Sequence, residues 1–302
     1  MNNLSTTVDK QRRRRTKAQI GQLREQIFVE LRTGHPQSIR HVFYRMTNPR
    51  LPEPVEKSEH GYRHVQYQIT QMRRQPNDMA LSIPYGWITD STRRGWHVDT
   101  FSGATDFLQR VAGLYRADLW ESSDVYVEVW AESRSIAGVI EELCNDLAVS
   151  LYPAGGFASL TLIHDAAQAI KVQSGHGEKD VKIIYIGDYD PAGVLIDQSI
   201  EKDLRKHLGF GIPLKFTRLA INPNQIDEYD LPTKARKAKD NRAKHVTATV
   251  EAEAMPASIL RQLLRSEIES HLPDNALRIA KVAEQSERQA LLGFARQLGP
   301  SA

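Results

Sequence analysis

VKIIYIGDYDPAGVLIDQSIEKDLRKHL, residues 181–208, is the stretch from which the rest of the chain is read. Its opening run, VKIIYIG, is short, apolar and rich in β-branched residues, the composition of a strand covered on both faces. AGVLIDQSIEKDLRKHL (192–208) then reads as a helix. Between them Asp188 and Asp190 stand at the strand end, with Pro191 and Gly193 shaping a tight turn.

Outward from this unit the same grammar repeats. VYVEVW (125–130) reads as a strand, RSIAGVIEELCNDLAV (134–149) as a helix and SLYPAG (150–155) as a strand. LTLIHDAAQAIKVQ (160–173) reads as a helix and LKFTRLAI (214–221) as a strand. Strands alternating with helices of this length predict βαβ units and a mostly parallel sheet flanked by helices, an α/β fold. SILRQLLRSEIESHL (258–272) and a further helix from about residue 274 close the chain, and a domain boundary is expected near residue 120.

Ligands of open parallel sheets bind beyond the carboxyl ends of the strands. Glu132 falls there after VYVEVWA, and Asp188 and Asp190 fall there after VKIIYIG. Residues two apart in an extended chain point to the same side, so both aspartates can face one point. Three carboxylates so close need a cation or a proton, and oxygen-only ligands suit Mg²⁺. The ten histidines are scattered, and no Cys/His set has zinc spacing. A bare D-x-D also occurs in ordinary surface turns. Gly156 to Ser159 in GGFASLT is a turn before a helix start that can hold an anion, or simply a turn.

The first half of the chain has a different pattern. Residues 16–32 look helical, and PQSIRHVFYRM (36–46) opens a second helix with Ser38 or Gln37 near its start. After the Pro-rich turn TNPRLPEPVEK, a third helix carries Tyr62, Val65, Ile69 and Met72 on one stripe. IPYGWITDSTRRGWHVD (83–99) could form a hairpin, and 105–121 a connecting helix. Three helices and a hairpin are the order of a winged helix, which can lay its third helix in a DNA groove. A helical domain without DNA contact has the same pattern.

The chain has 302 residues, 40% of them hydrophobic and 25% charged, and a net charge of only +3. The positive charge is clustered, at Arg12–Arg15, Arg73-Arg74, Arg93-Arg94 and TKARKAKDNRAKH (233–245). Clusters of this kind suit a polyanion. No apolar run is long enough to span a bilayer, the N-terminus lacks the apolar region of a secretory signal, and the single Cys144 excludes an internal disulfide framework. A cytoplasmic protein without membrane contact is expected.

VEVWAESRSIAGVIEEL, GGFASLTLIHDAA and IIYIGDYDPAGVLI, in that order, resemble a Toprim domain, the metal-binding fold of topoisomerases, bacterial primases and several nucleases. Glu132, Asp188 and Asp190 match its acidic positions; Ser133 stands where a Lys often follows the Glu, with Arg134 next. SIRHVFYRM places Arg40 four residues before Tyr44, and TVEAEAMPASILRQLL matches the later part of the same chains. Over roughly residues 35–270 the sequence therefore resembles the topoisomerase VI A subunit and meiotic double-strand-break family, in a small stand-alone version.

The resemblance implies a basic tail (1–15), a winged-helix domain (16–120) holding a nucleophilic Tyr44 assisted by Arg40, and a Toprim domain with C-terminal helices (121–302). It further implies Mg²⁺, replaceable by Mn²⁺, at Glu132, Asp188 and Asp190, and a homodimer in which Tyr44 of one subunit meets the metal site of the other. DNA contacts are expected from Arg63, Arg73, Arg74, Arg93, Arg94, Lys234, Arg236 and Lys237. The implied activity is double-strand DNA cleavage through a tyrosine–phosphodiester intermediate, in a nucleoid-associated enzyme. ATP-driven strand passage would need a separate ATPase subunit. Two alternatives stay open: a Toprim nuclease using water with Tyr44 structural, and a non-catalytic DNA-binding regulator.

Overall fold

A computed structural model describes residues 15–74, 81–89, 98–235, 243, 246 and 248–298. Four strands form one parallel sheet: β1 (Val125–Ala131), β2 (Ser150–Pro153), β3 (Asp180–Ile186) and β4 (Leu214–Ala220), in the order β2-β1-β3-β4. The period-2 alternation of the two central strands feeds two separate cores. Val127, Val129, Ala131, Ile184 and Ile186 face one side, where α5 (Arg134–Asp146) and α9 (Ala257–Glu269) contribute Ile136, Ile140, Leu260 and Leu264. Trp130, Val181, Ile183 and Tyr185 face the other, against Ile163 and Ile170 of α6 (Leu160–Gln173) and Ile196, Ile200 and Leu204 of α7 (Gly193–Leu208). Each such buried aliphatic side chain is worth about 2 kcal/mol of transfer free energy.

The first half supplies α1 (Lys17–Gly34), α2 (Ile39–Met46) and α3 (Glu59–Arg74), as the sequence predicts. Thr16 and Gln19 form a capping box at the first, and Ser38 caps the second by accepting from His41 N–H. Val65, Ile69 and Met72 are buried and Tyr62 packs beside them, so the expected stripe is the inner face of α3. These helices share one buried apolar cluster with the α5 side of the sheet.

Of the stretch expected to form a hairpin, residues 90–97 lie outside the described residues. Tyr85–Trp87 is a 3₁₀ turn, and Gln37 N–H and C=O bond Trp87 O and Thr89 N–H, which pairs Ile88 with Gln37. Trp87 stacks on His35, with ring centroids 4.7 Å apart, and this anchors the turn to the helices. The connecting helix, α4 (Ala104–Leu114), is shorter than expected, and Arg288 of the last helix, α10 (Ala276–Gln297), binds Tyr115 O just past its end. Two elements were not anticipated. One is α8 (Pro223–Glu228), started by an Asn222/Gln225 capping box; the other is a short antiparallel ribbon of β5 (Lys234–Ala235) and β6 (Ala248–Thr249). Among the described residues no helix is long and apolar enough to cross a membrane.

One carboxylate lies inside the α6–α7 side of the sheet. Glu128 on β1 is 0% exposed and accepts hydrogen bonds from Tyr126 Oη at 2.8 Å and Trp130 Nε1 at 3.0 Å. Burial raises its proton affinity more than these two bonds lower it, to about 7. The folded chain therefore keeps a proton that the unfolded chain releases above its ordinary value of 4.5. Glu128 stabilises most at low pH, and its contribution is lost as pH rises towards 7, on the order of 2–3 kcal/mol across that window. Denaturant unfolding of wild type and Glu128→Gln at pH 5 and pH 8 should show a wild-type loss of this order that the variant lacks. Equal pH dependence in both proteins would remove Glu128 as its source.

Candidate functional site

The ends of β1 and β3 lie side by side, with Ala131 opposite Ile186, so the residues that follow them meet. Glu132 N–H continues the ladder to Ile186 O at 2.8 Å, and its Oε2 accepts from Asp188 N–H at 2.9 Å and Tyr185 Oη at 3.2 Å. Asp188 Oδ1 accepts from Ala252 N–H at 2.8 Å. The glycines of IGDYDPAG follow from this closeness. A Cβ on Gly187 would lie 2.6 Å from Glu132 Oε2, and one on Gly193 2.2 Å from Asp188 O. Arg218 of β4 pins the turn by donating to Gly187 O, Asp188 O and Gly193 O.

Asp190 departs from the expected common focus. Its Oδ1 accepts from Ala192 N–H at 2.8 Å and Gly193 N–H at 2.7 Å, so it satisfies free amides at the start of α7. The chain turns at Pro191 directly after it, and α7 begins at Gly193. Asp190 still lies near enough to Glu132 to add to its proton affinity.

Burial, then the neighbouring carboxylates, hold Asp188 well above the usual carboxylate range; Glu132 and Glu253 lead among those neighbours. Burial also raises Glu132 and Glu253. Ser133 Oγ donates to Glu253 Oε1 at 3.3 Å, so it binds the carboxylate without neutralising it. A buried acidic group with oxygen-only donors fits a hard divalent cation chemically, although Arg218 and Arg40 already offset part of its charge. Yet among the described residues no three Asp, Glu, His or Cys side chains already stand in a metal-holding arrangement. Each of the three expected ligands gives at least one oxygen to a protein donor.

Tyr44 lies on α2 one turn after Arg40 and is 3% exposed. Lys234 Nζ is 3.1 Å from its hydroxyl, and the Lys57 and Lys234 ammonium groups lie 5.6 and 5.7 Å from its ring centroid. Burial, and then the carboxylate of Glu251, raise the phenol above its ordinary value. Burial, then Lys234, lower Lys57 to about 8. A cleft of about 290 Å³ opens here, lined by Arg40, Tyr44, Lys57, Tyr62 and Lys234 among others.

The two clusters meet through four consecutive residues. Val250 exchanges both backbone bonds with Tyr189, and Glu251 faces Arg40, Lys234 and Tyr44. Ala252 binds Asp188, and Glu253 faces Ser133. Sequence reasoning matched TVEAEAMPASILRQLL to a family but assigned Glu251 and Glu253 no role. The available signal was the E-x-E spacing in a segment otherwise apolar.

Of the residues expected to contact DNA, Arg63, Arg73 and Arg74 lie on α3 and Lys234 on β5. Arg63 is exposed and pairs with Glu59. Arg73 stacks on Tyr85 at 4.4 Å, and Arg74 is exposed in the last turn of α3. Lys234 belongs to the Tyr44 cluster. Arg93, Arg94, Arg236 and Lys237 lie outside the described residues, as does most of the basic tail. No protein-family model, curated protein or solved structure matches the chain.

Proposed function

We propose that this protein cleaves DNA by Mg²⁺-dependent transesterification at Tyr44, on a winged-helix half joined to a Toprim half. One observation carries the reading: residues 250–253 bind the Arg40–Tyr44 cluster on one side and the acidic turn on the other, within a single chain. A nucleophile, a phosphate-binding cation and a hard-cation site are the parts that phosphodiester cleavage requires.

In this reading the Tyr44 oxygen bonds to phosphorus as the bond from phosphorus to a sugar oxygen breaks. The DNA phosphate becomes ester-linked to Tyr44, and the released sugar oxygen takes up a proton as a hydroxyl. Arg40 offsets the charge that develops on the phosphoryl oxygens. The phenolic proton leaves to solvent as the ester forms; Lys234 Nζ, 3.1 Å from the hydroxyl, stabilises the phenolate, while Lys57 donates to Pro232 O and Thr233 O beside the ring. Glu132 and Asp188, with Asp190 beside them, would hold Mg²⁺, which supplies charge neutralisation and orientation of a phosphoryl oxygen. Two copies acting on opposite strands would produce a double-strand break. That both clusters lie on one chain leaves each copy a complete set of these residues.

Burial of Tyr44 and its raised proton affinity favour a second reading, a metal-dependent nuclease that uses water, with Tyr44 structural. Supercoiled plasmid incubated with protein and Mg²⁺ or Mn²⁺ tests both. Nicked or linear DNA whose mobility changes after protease treatment is expected. Free cleaved ends without attached protein would favour water, and intact plasmid under every condition would remove both readings.

A further inference from the structure

Arg40 and Lys234, two cations beside Tyr44, are already engaged by the protein's own carboxylate. Glu251 Oε2 lies 2.6 Å from Arg40 Nη1, and Glu251 Oε1 lies 2.6 Å from Lys234 Nζ. The same carboxylate lies against the Tyr44 hydroxyl. A guanidinium, an ammonium and a phenol around one pair of oxygens form the donor set that the two non-bridging oxygens of a phosphodiester would use. We propose that Glu251 is an internal occupant of a phosphodiester site built by Arg40 and Lys234, and that DNA displaces it before a phosphate reaches Tyr44. This proposal rests on the DNA-cleaving reading of the same site.

The alternative role for Glu251, a base that activates Tyr44, runs against its surroundings. Burial disfavours its charge, but the hydrogen bonds from Lys234 and Arg40 outweigh that and hold it at about 2. The phenol is shifted the opposite way. A proton would move from a weakened acid to a weak base, so Glu251 restrains the pair and does not activate it.

Displacement needs only a side-chain rotation. Val250 and Ala252 anchor the backbone on both sides, through Tyr189 and Asp188. The Glu251, Arg40 and Lys234 side chains are 25%, 45% and 47% exposed, so the two ion pairs are partly screened and individually weak. Water can take the carboxylate, and the neighbouring cleft of about 290 Å³ admits a phosphate.

The test is binding of a short duplex across a salt series without divalent cation, followed by fluorescence anisotropy. Glu251→Gln should bind more tightly than wild type and steepen the slope of log affinity against log salt by about 1, the increment for one phosphate neutralised. In the Arg40→Ala/Lys234→Ala background the same substitution should change neither quantity. An unchanged slope in Glu251→Gln overturns the proposal. So does a gain that persists without Arg40 and Lys234, because it would reflect general charge alone. Thermal melts establish that each variant is folded, and if Glu251→Gln does not fold, Glu251→Asp, with its shorter reach, should give an intermediate gain. Covalent adducts are scored separately. A slope gain without any adduct retains the phosphodiester site and removes cleavage; adducts from wild type with no slope gain retain cleavage and remove the occupant.

Discussion

Tyr44→Phe should abolish protein-linked DNA while leaving the chain folded and able to bind duplex. The substitution removes one oxygen, and the ring keeps its packing against Phe43, with centroids 5.2 Å apart. Lys234 loses the phenol as a partner but keeps Glu251 at 2.6 Å, so no buried cation is left unpaired. Folding stability should therefore change by about 1 kcal/mol or less, the net worth of one hydrogen bond. The chemical effect is far larger. Removal of a nucleophile typically costs on the order of 10⁴-fold or more in rate, and Tyr62→Phe, at the other phenol lining the cleft, is the control that should keep the adduct. The measurement is denaturing electrophoresis of end-labelled duplex after incubation with Mg²⁺, with melting curves alongside. Cleavage that survives in Tyr44→Phe would falsify transesterification at this residue and leave water as the attacking group.

The second large effect belongs to Asp188. Its carboxyl is buried beside Glu132 and Glu253, and its Oδ1 accepts Ala252 N–H. Asn at this position can still accept that bond through its amide oxygen but has lost the charge that would attract a divalent cation. Without cation, Asp188→Asn should melt at or above the wild-type temperature, since a buried carboxyl among like charges has been removed. With Mg²⁺ or Mn²⁺ the two proteins should separate. A cation at about 100 times its Kd stabilises the wild type by about 2.7 kcal/mol, and the variant should gain little of this. DNA cleavage should fall with the cation response. Calorimetry with and without cation reads the effect independently of activity. A wild type that melts identically with and without either cation would remove the metal site, and equal shifts in both proteins would remove Asp188 from it.

Much of the site was readable in residues 125–208. The runs VYVEVWA and VKIIYIG read as strands, and a helix between consecutive strands makes them parallel. Their carboxyl ends therefore point the same way, and Glu132 and Asp188 fall at those ends. Alternation also anticipates two faces, Val127 and Val129 on one and Trp130 on the other. Glu128 was not legible as a buried acid, because nothing local distinguishes it from a carboxylate on an exposed strand face. Its burial depends on α6 and α7 covering that side, and on Tyr126 and Trp130 closing over it.

Local pattern thus determined the parallel sheet, the first three helices and the pairing of Glu132 with Asp188, because strand period and helix period are properties of neighbouring residues. Tertiary structure alone decided two further matters. Trp87 docked on His35 as Ile88 paired with Gln37, and Ala252 met Asp188 across 64 residues of chain. That last contact carries Glu251 to Arg40 and Lys234. No local period encodes such a meeting, since it arises only when the closing of two cores fixes where distant backbone groups find hydrogen-bond partners.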